Sequence, residues 1–323
     1  MKTIIPIYFA SDKNYLPYLT VAIKSLINFA NQEDEYRIYI LTNDLKTEDI
    51  KELKSFEKFN TIIEIADVKE KIETIKNKLV VRDYYSISIY FRLFIPSMFP
   101  EYNKAIYLDS DIILNKDVAE LFRVDIKDNY LGAVLDEVVY SNYDFTYYAK
   151  EVLNVSENQY FNSGVLIMNL AKFRTNNIEY DFYNWVNNNN FNAVAPDQDY
   201  LNITCKNSVM YLNSGWNQMP MGKKEKDSKF VYLIHYNMFL KPWKYENILY
   251  ENYFWNFAKQ TSLYAFIKNK QKTYSKENKE NDKQSLNRLI NLAINLANKS
   301  KYKSAILDNN NYNSINKNGL VFN

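Results

Sequence analysis

The chain has 323 residues, a formal net charge of +2 and a composition that is 47% hydrophobic, so it can bury the core of one large domain. Its single cysteine, Cys205, excludes an intrachain disulfide and therefore a fold held together by such bridges. No apolar stretch reaches the ~18 residues of a spanning helix, and the first residues lack a long apolar leader. We therefore expect a cytoplasmic protein.

Strand and helix patterns alternate at the start of the chain. Short apolar runs predict strands over residues 4–9, 37–41 and 61–65. Apolar residues at helical spacing predict helices over residues 16–30 and 47–59. This order is typical of an α/β fold in which helices cover both faces of a mostly parallel sheet.

Further elements follow the same patterns along the chain. A strand is predicted to end at Asp109, and further strands are predicted over residues 131–135, 165–168 and 231–234. The predicted helices cover residues 86–99 and 176–190, and another begins at Pro196. Ligands of open α/β sheets bind beyond the carboxyl ends of the strands. We therefore expect the turn over residues 11–14 and the segment around Asp109 to share one cleft.

Two carboxylates, Asp109 and Asp111, lie where a buried strand is predicted to end. If the backbone stays extended, both side chains point to the same side, because strand side chains alternate. Two negative charges brought together are unfavourable unless a cation lies between them. Their hard oxygen ligands suit Mg²⁺ or Mn²⁺, which also hold phosphates. Taken alone, the pattern fits equally an Asp-rich turn after a strand.

His235 is the only histidine of the chain and follows the strand predicted over residues 231–234. A lone histidine at a strand end is more often structural than a ligand. Here Lys241 follows six residues later, within Lys241-Pro242-Trp243. A neutral imidazole beside two carboxylates is a reasonable ligand set for Mn²⁺, and Lys241 offers a point charge for a phosphate.

The C-terminal part differs from the rest in charge. Residues 268–323 carry a net charge of +7 and residues 1–267 a net charge of −5. We predict a globular domain over 1–267 and a basic helical extension over 268–323, disordered after Asp308. The apolar face of its amphipathic helix contains Leu286, Leu289, Ile290, Ala293, Ile294 and Ala297. That face either packs on the body or attaches peripherally to anionic lipid.

In this order and spacing, the motifs resemble those of the family 8 retaining glycosyltransferases. This group includes glycogenin and bacterial lipopolysaccharide galactosyl- and glucosyltransferases. The resemblance covers about three quarters of the chain. It is carried by Phe9-Ala10-Ser11-Asp12-Lys13-Asn14-Tyr15, Tyr90-Phe91-Arg92-Leu93, Tyr107-Leu108-Asp109-Ser110-Asp111, Phe161-Asn162-Ser163-Gly164-Val165, Asp197-Gln198-Asp199, and His235-Tyr236 with Lys241-Pro242-Trp243.

The resemblance implies a GT-A fold, a UDP-hexose donor and a Mn²⁺ or Mg²⁺ ion. It implies that the uridine is held by Ala10, Asp12 and Asn14. It also implies that Arg92 binds donor hydroxyls or phosphate and that Lys241 contacts the diphosphate.

By the same resemblance, Asp109, Asp111 and His235 bind the metal, and Asp109 also reaches the ribose or the sugar. The sugar and the reaction centre are lined by Asp136, Asn162, Asp197 and Gln198. A two-step route to retention would use Asp197 or Gln198 as nucleophile, whereas a glutamine there favours attack on one face. The sequence leaves both routes open.

The function implied is transfer of glucose or galactose from a UDP-sugar to a glycan acceptor. Lipopolysaccharide, a surface polysaccharide and a glycoprotein glycan all fit as acceptors, while nucleic acid does not, since a basic tail gives no specificity. The alternative is a non-catalytic nucleotide-sugar or glycan-binding module of the same fold. One departure concerns residues 237–240, which contain no glycine although relatives often have one there.

Overall fold

The computed structural model describes residues 2–81, 86–188 and 192–307. Its strands begin with the predicted β-α-β-α-β unit. They are β1 (Ile4–Ala10), β2 (Glu35–Thr42), β3 (Thr61–Asp67), β4 (Lys104–Asp109), β5 (Ile112–Leu114), β6 (Leu131–Leu135), β7 (Phe161–Asn169), β8 (Val209–Tyr211) and β9 (Leu233–His235).

The helices flank these strands in chain order. They are α1 (Leu16–Phe29), α2 (Thr47–Lys54), α3 (Lys69–Glu73), α4 (Ile95–Met98), α5 (Val118–Phe122), α6 (Glu137–Tyr140), α7 (Tyr143–Leu153), α8 (Leu170–Thr175), α9 (Ile178–Asn188), α10 (Pro196–Cys205), α11 (Glu251–Ala258), α12 (Tyr264–Lys272) and α13 (Lys276–Leu307). Shorter 3₁₀ helices cover Ile87–Phe94, Ser214–Asn217 and Ser228–Phe230.

A seven-stranded sheet in the order β3-β2-β1-β4-β7-β6-β8 forms the centre of the molecule. Strands β1 to β4 run parallel to one another, whereas β7 is antiparallel to both β4 and β6. Separate apolar clusters pack on its two faces. The predicted α/β fold with a mostly parallel central sheet is therefore confirmed.

Two of the predicted helices differ from the structure. The helix expected over residues 47–59 already ends at Lys54, and Lys58 and Thr61 exchange backbone hydrogen bonds in the turn that leads into β3. The segment expected as a helix over residues 86–99 is largely 3₁₀. Pro96 follows it and has no N–H to give to the carbonyl of Arg92, so a regular α-helical bond is lost there.

The long helix α13 packs against α7. Its residues Leu289, Ala293 and Ala297 are buried among Phe145 and Ala149 of that helix. Of the two arrangements predicted for the extension, the structure therefore has the one in which the apolar face is covered by the body. None of the helices in the described ranges combines the length and apolar character needed to cross a bilayer.

The predicted boundary between residues 267 and 268 falls inside α12. Whether the two parts are separate domains stays a prediction. The disorder expected after Asp308 concerns residues that lie outside the described part of the chain.

Candidate functional site

A cleft opens at the carboxyl ends of the central strands. Ala10, at the end of β1, is the register partner of Asp109 at the end of β4, so the two predicted segments do meet. The cleft encloses about 1140 Å³, including the space open to solvent at its mouth. The predicted site residues that line it are Ala10, Arg92, Asp109, Asp111, Asp136, Asn162, Asp197, Gln198, His235 and Lys241.

Two predicted uridine-binding residues, Asp12 and Asn14, are not among the residues that line the cleft. The Asp12 carboxylate accepts hydrogen bonds from the backbone N–H groups of Asn14 at 2.9 Å and Tyr15 at 3.0 Å. This Asx turn leads into α1 and brings Tyr15 to the cleft wall. Asp12 therefore has a structural role, and contact with a nucleotide stays a prediction for both residues.

Asp109, Asp111 and His235 lie together at the base of the cleft. One potential ligand atom of each lies within 4.8 Å of the others. His235 Nε2 is 3.6 Å from Asp109 Oδ2 and 3.3 Å from Asp111 Oδ1. These residues, which are far apart in sequence, thus form the cluster that was predicted as a metal site.

The two aspartates converge in a different way from the one expected. Ser110 and Asp111 form a turn between β4 and β5, so the extended backbone assumed for an alternating pair is absent. The Ser110 hydroxyl holds this turn by donating to the carbonyl of Ala10 at 2.8 Å. Strand β5 then pairs with β9 in a separate two-stranded sheet, with Ile112 opposite His235. This pairing brings the histidine to the aspartates.

The cluster suits a divalent cation. Asp111 Oδ1 is buried and has no hydrogen-bond partner within the described residues. Burial alone would raise the pKa of the Asp111 carboxyl, but the charge and hydrogen bond of Lys241, together with the neighbouring His235, outweigh burial and hold that pKa well below its usual range. Asp111 is therefore an ionised carboxylate with a free oxygen that faces an imidazole nitrogen. Carboxylate and imidazole ligands together fit Mn²⁺, and the two carboxylates also fit Mg²⁺.

Lys241 is buried beside the cluster. Its ammonium donates to Asp111 Oδ2 and to the carbonyl of Tyr236. Lys241, which was expected to contact the diphosphate, therefore contacts a predicted metal ligand, and its fixed charge lies next to that ligand.

Between His235 and Lys241, Met238 adopts a left-handed backbone with φ of +53°. This is the loop in which glycine was noted as missing.

Arg92 connects the two sides of the cleft. Its Nη2 donates to Asp109 Oδ1 at 3.0 Å, and its Nε lies 3.1 Å from Asp197 Oδ2. The guanidinium also lies 4.3 Å from the ring centre of Tyr107, whose hydroxyl donates to Asp109 Oδ1 at 2.8 Å. Arg92 thus orients two acidic side chains at once, in addition to lining the cleft.

The predicted sugar side is a network of hydrogen-bonded amides. Gln198 Oε1 accepts from the Ser163 backbone N–H at 2.9 Å, and its Nε2 donates to Asp136 Oδ2 at 3.0 Å. The same Asp136 oxygen accepts from Asn162 Nδ2 at 2.9 Å. Asp136 Oδ1 caps α6 through the Val139 N–H. The side-chain amides of Gln198 and Asn162 are therefore each held in the orientation in which their oxygen accepts and their NH₂ donates.

Asp197 differs from the other acids because of its burial. Removal from water raises the pKa of this carboxyl to about 6, although Arg92 lowers it. A buried carboxyl with a raised pKa beside an arginine and a cleft is typical of functional sites, and also of structural ion pairs.

Gly164 and Asn217 also contact the cluster, although neither was predicted as a site residue. A Cβ on Gly164 would overlap His235 Cε1 and come within 2.6 Å of Asp109 Oδ2. Asn217 Oδ1 lies 3.0 Å from His235 Nδ1. Gly164 is part of the quoted Asn-Ser-Gly motif, so its small size was a usable signal, whereas nothing in the sequence around Asn217 distinguishes it from many other asparagines.

The family model described as glycosyl transferase family 8 matches residues 6–247. A putative glycosyltransferase of Haemophilus influenzae is 32% identical over 220 residues, which cover 66% of this chain and 63% of that protein. The lipopolysaccharide 1,2-glucosyltransferase of Escherichia coli is 26% identical over 261 residues, 76% of this chain and 75% of that protein. GlyA of Streptococcus pneumoniae is 28% identical over 246 residues, 74% of this chain and 32% of that protein.

Solved structures agree with these relatives. The galactosyltransferase LgtC, in complex with donor and acceptor sugar analogues, superposes with a TM-score of 0.67 at 26% identity, over 80% of this chain and 96% of that one. The bifunctional glycosyltransferase WbbM has a TM-score of 0.71 at 23% identity. The match covers 84% of this chain and 52% of that one, and it supports the fold alone. This chain spans less than two thirds of the length of several curated relatives, 63% of one and 32% of another. With its GT-A fold and a family match across most of its length, the chain belongs to glycosyltransferase family 8.

Proposed function

We propose that the protein is a retaining glycosyltransferase that moves glucose or galactose from a UDP-sugar to a glycan acceptor, with help from Mn²⁺ or Mg²⁺. The observation that carries this proposal is the cluster of Asp109, Asp111 and His235 beside the buried Lys241. A divalent site next to a fixed positive charge is suited to a diphosphate. The catalytic domain would be residues 1–267.

Breaking the bond between the sugar and UDP places negative charge on the leaving diphosphate and positive charge on the sugar ring. A bound divalent ion would supply charge neutralisation for the leaving group. Lys241 adds a buried positive charge at the same end of the cleft. Asp136, Asp197 and the amides of Asn162 and Gln198 would orient the sugar and stabilise its developing positive charge.

The hydrogen bonds of Gln198 favour attack and departure on one face of the sugar. Its Oε1 accepts from the Ser163 N–H at 2.9 Å, and Asn162 Nδ2 lies 3.3 Å from the same oxygen. An amide oxygen is a weak nucleophile, and this one already has partners. Asp197, the other candidate, is paired with Arg92. We propose same-face attack, with both side chains positioning the sugar.

The names of the relatives support a hexose donor. One is a lipopolysaccharide 1,2-glucosyltransferase and another a galactosyltransferase. Among acceptors, lipopolysaccharide, a surface polysaccharide and a glycoprotein glycan remain candidates. The cytoplasmic location likewise stays a prediction.

Peripheral membrane contact is a separate proposal for the extension over residues 268–323. Because Leu289, Ala293 and Ala297 are buried, such contact would use the exposed basic side of the helix, where Lys299 lies. Co-sedimentation with anionic liposomes, before and after truncation at Lys268, measures it. Equal sedimentation of the two forms would reject the proposal.

A screen of UDP-sugars tests the central function. We expect Mn²⁺-dependent release of UDP from UDP-glucose or UDP-galactose, measured with and without glycan acceptors. Asp136→Asn keeps the size of a side chain on the sugar side of the cleft and removes its charge, so we expect it to bind UDP with Mn²⁺ like the wild type and to release UDP from the donor more slowly. UDP binding without release from any donor would instead support the non-catalytic binding module. Absence of both binding and release would reject the proposal.

A further inference from the structure

A line of hydrogen-bonded side chains connects the two sides of the cleft below its surface. Asn162 Nδ2 donates to Asp136 Oδ2 at 2.9 Å, and Asn217 Nδ2 donates to Asn162 Oδ1 at 2.8 Å. Asn217 Oδ1 then lies 3.0 Å from His235 Nδ1. All four residues are buried, so water does not compete freely for these groups.

The donor and acceptor roles along this line of hydrogen bonds are fixed by its first member, Asp136. A carboxylate oxygen accepts, so the Asn162 amide presents its NH₂ to Asp136 Oδ2. The backbone N–H of Gly164 can only donate, and it lies 2.9 Å from Asn162 Oδ1. Both observations independently give the same orientation of the Asn162 amide. Asn217 must therefore turn its NH₂ to Asn162 and its oxygen to His235.

This orientation determines which nitrogen of His235 carries the proton. Because Asn217 Oδ1 is an acceptor, Nδ1 of His235 must donate, and in a neutral ring Nε2 then has a free lone pair. That lone pair points to the carboxylates, with Asp111 Oδ1 at 3.3 Å. A lone pair opposite an unpaired carboxylate oxygen is unfavourable without a cation between them, and it is the arrangement that a metal ligand needs.

The backbone keeps Asn217 in place. It ends the 3₁₀ helix Ser214–Asn217, whose first turn is capped by the Asn213 side chain. The next residue, Gln218, donates its N–H to the carbonyl of Leu233 and accepts from the N–H of His235, both at 2.9 Å. The 3₁₀ helix and β9 are thus held side by side, with Asn217 next to the imidazole.

We propose that Asn217 is a positioning residue that holds His235 as the Nδ1–H tautomer and so presents Nε2 to the divalent cation. The consequence for the metal rests on the proposed function, whereas the tautomer does not. Partners of this kind set the ring orientation and the basicity of a metal-binding histidine, and losing one typically reduces metal affinity by about 10- to 100-fold.

The single histidine makes the test direct. The chain labelled with ¹⁵N-histidine gives signals from one imidazole, and long-range ¹H–¹⁵N spectra identify whether Nδ1, Nε2 or both carry a proton. We expect Nδ1–H in the metal-free wild type and loss of this preference in Asn217→Ala. Titration with Mn²⁺ alone should show an affinity about 10- to 100-fold lower for the variant.

Asn213→Ala is the matched control, because Asn213 caps only the first turn of the same 3₁₀ helix at Gly215, whereas the pairing of Gln218 with β9 still holds Asn217 beside the imidazole. We expect it to keep the wild-type tautomer and Mn²⁺ affinity. An Nε2–H tautomer in the wild type would overturn the inference even if no variant folds. So would wild-type tautomer and affinity in folded Asn217→Ala. A wild type with Nδ1–H that binds no Mn²⁺ would instead overturn the proposed metal role, so the two failures are distinguishable.

Discussion

Gly164 leaves no room for a side chain beside the acidic cluster. We expect Gly164→Ala to weaken Mn²⁺ binding by about 10- to 100-fold, because the added methyl group would collide with His235 and come within 2.6 Å of Asp109 Oδ2. Gly132→Ala serves as the control, since its Cβ would meet the side chains of Ile126 and Ile167 in the core. That variant should lose stability and keep its Mn²⁺ affinity. Equal affinity in both variants would contradict the account.

Met238 occupies a backbone conformation that suits glycine. With φ at +53°, a side chain there is strained. We expect Met238→Gly to be more stable than Met238→Ala by about 0.5–1 kcal/mol, measured by urea unfolding. At Met210, in β8, the order should reverse, because glycine weakens an ordinary strand. Alanine more stable than glycine at both positions would show that position 238 is unstrained.

Asp199 makes stability depend on pH. Burial raises the pKa of its carboxyl from 3.8 to about 6, although the hydroxyls of Tyr148 and Tyr160 lower it. The folded state therefore prefers the protonated form, which stabilises it below about pH 4, and this contribution is lost as pH rises through about 6. Relative to Asp199→Asn, the wild type should lose up to about 3 kcal/mol of unfolding free energy between these values. A difference that stays constant with pH would reject the assignment.

At the scale of elements, α13 is linked to the loop that carries Lys241. Asp282 accepts from Lys244 Nζ at 3.2 Å and from the hydroxyls of Tyr245 at 3.0 Å and Tyr274 at 2.7 Å. We expect Asp282→Ala to lower the melting temperature and to raise KM for the donor, because the loop loses its attachment. Kinetics with a UDP-sugar and thermal unfolding measure both effects.

Glu280→Ala controls for the loss of an acidic side chain on the same helix, since its nearest cation is Lys283 at 3.8 Å on an exposed surface. Such exposed pairs contribute little to stability. Glu280→Ala should therefore have the melting temperature and the KM of the wild type. An unchanged melting temperature and KM in Asp282→Ala would show that α13 does not brace the loop.

The elements also show how far the sequence predicts this molecule. The parallel strands β1, β2 and β4 were predictable because most of each is an apolar run buried on both faces, whereas the edge strand β3 has buried residues that alternate with exposed ones at its start. A strand was predicted over residues 231–234, where β9 lies, but its pairing with β5 was not, because the two strands are more than a hundred residues apart in sequence. That short sheet is what brings His235 to Asp111.

For the site, the chemistry of the predicted side chains was more informative than the predicted helices and strands. Carboxylates and a lone histidine pointed to a cation before any geometry was known, and ten of the predicted residues line one cleft. Their orientations could not be predicted, because Arg92 and the amides of Asn162 and Gln198 take theirs from partners on other elements. Helix α7, which supports α13, was also missed.

For the whole molecule, the central claim is that the cleft holds the diphosphate of a UDP-sugar through a divalent cation. Calorimetric titration of UDP into the wild type and Asp111→Asn, each with and without Mn²⁺, tests it most directly. Asp111 contributes to the cluster a buried oxygen that has no hydrogen-bond partner within the described residues. We predict Mn²⁺-dependent UDP binding by the wild type and its loss in the folded variant. Equal UDP affinity in the two proteins, or no binding by the wild type with Mn²⁺, would contradict the account.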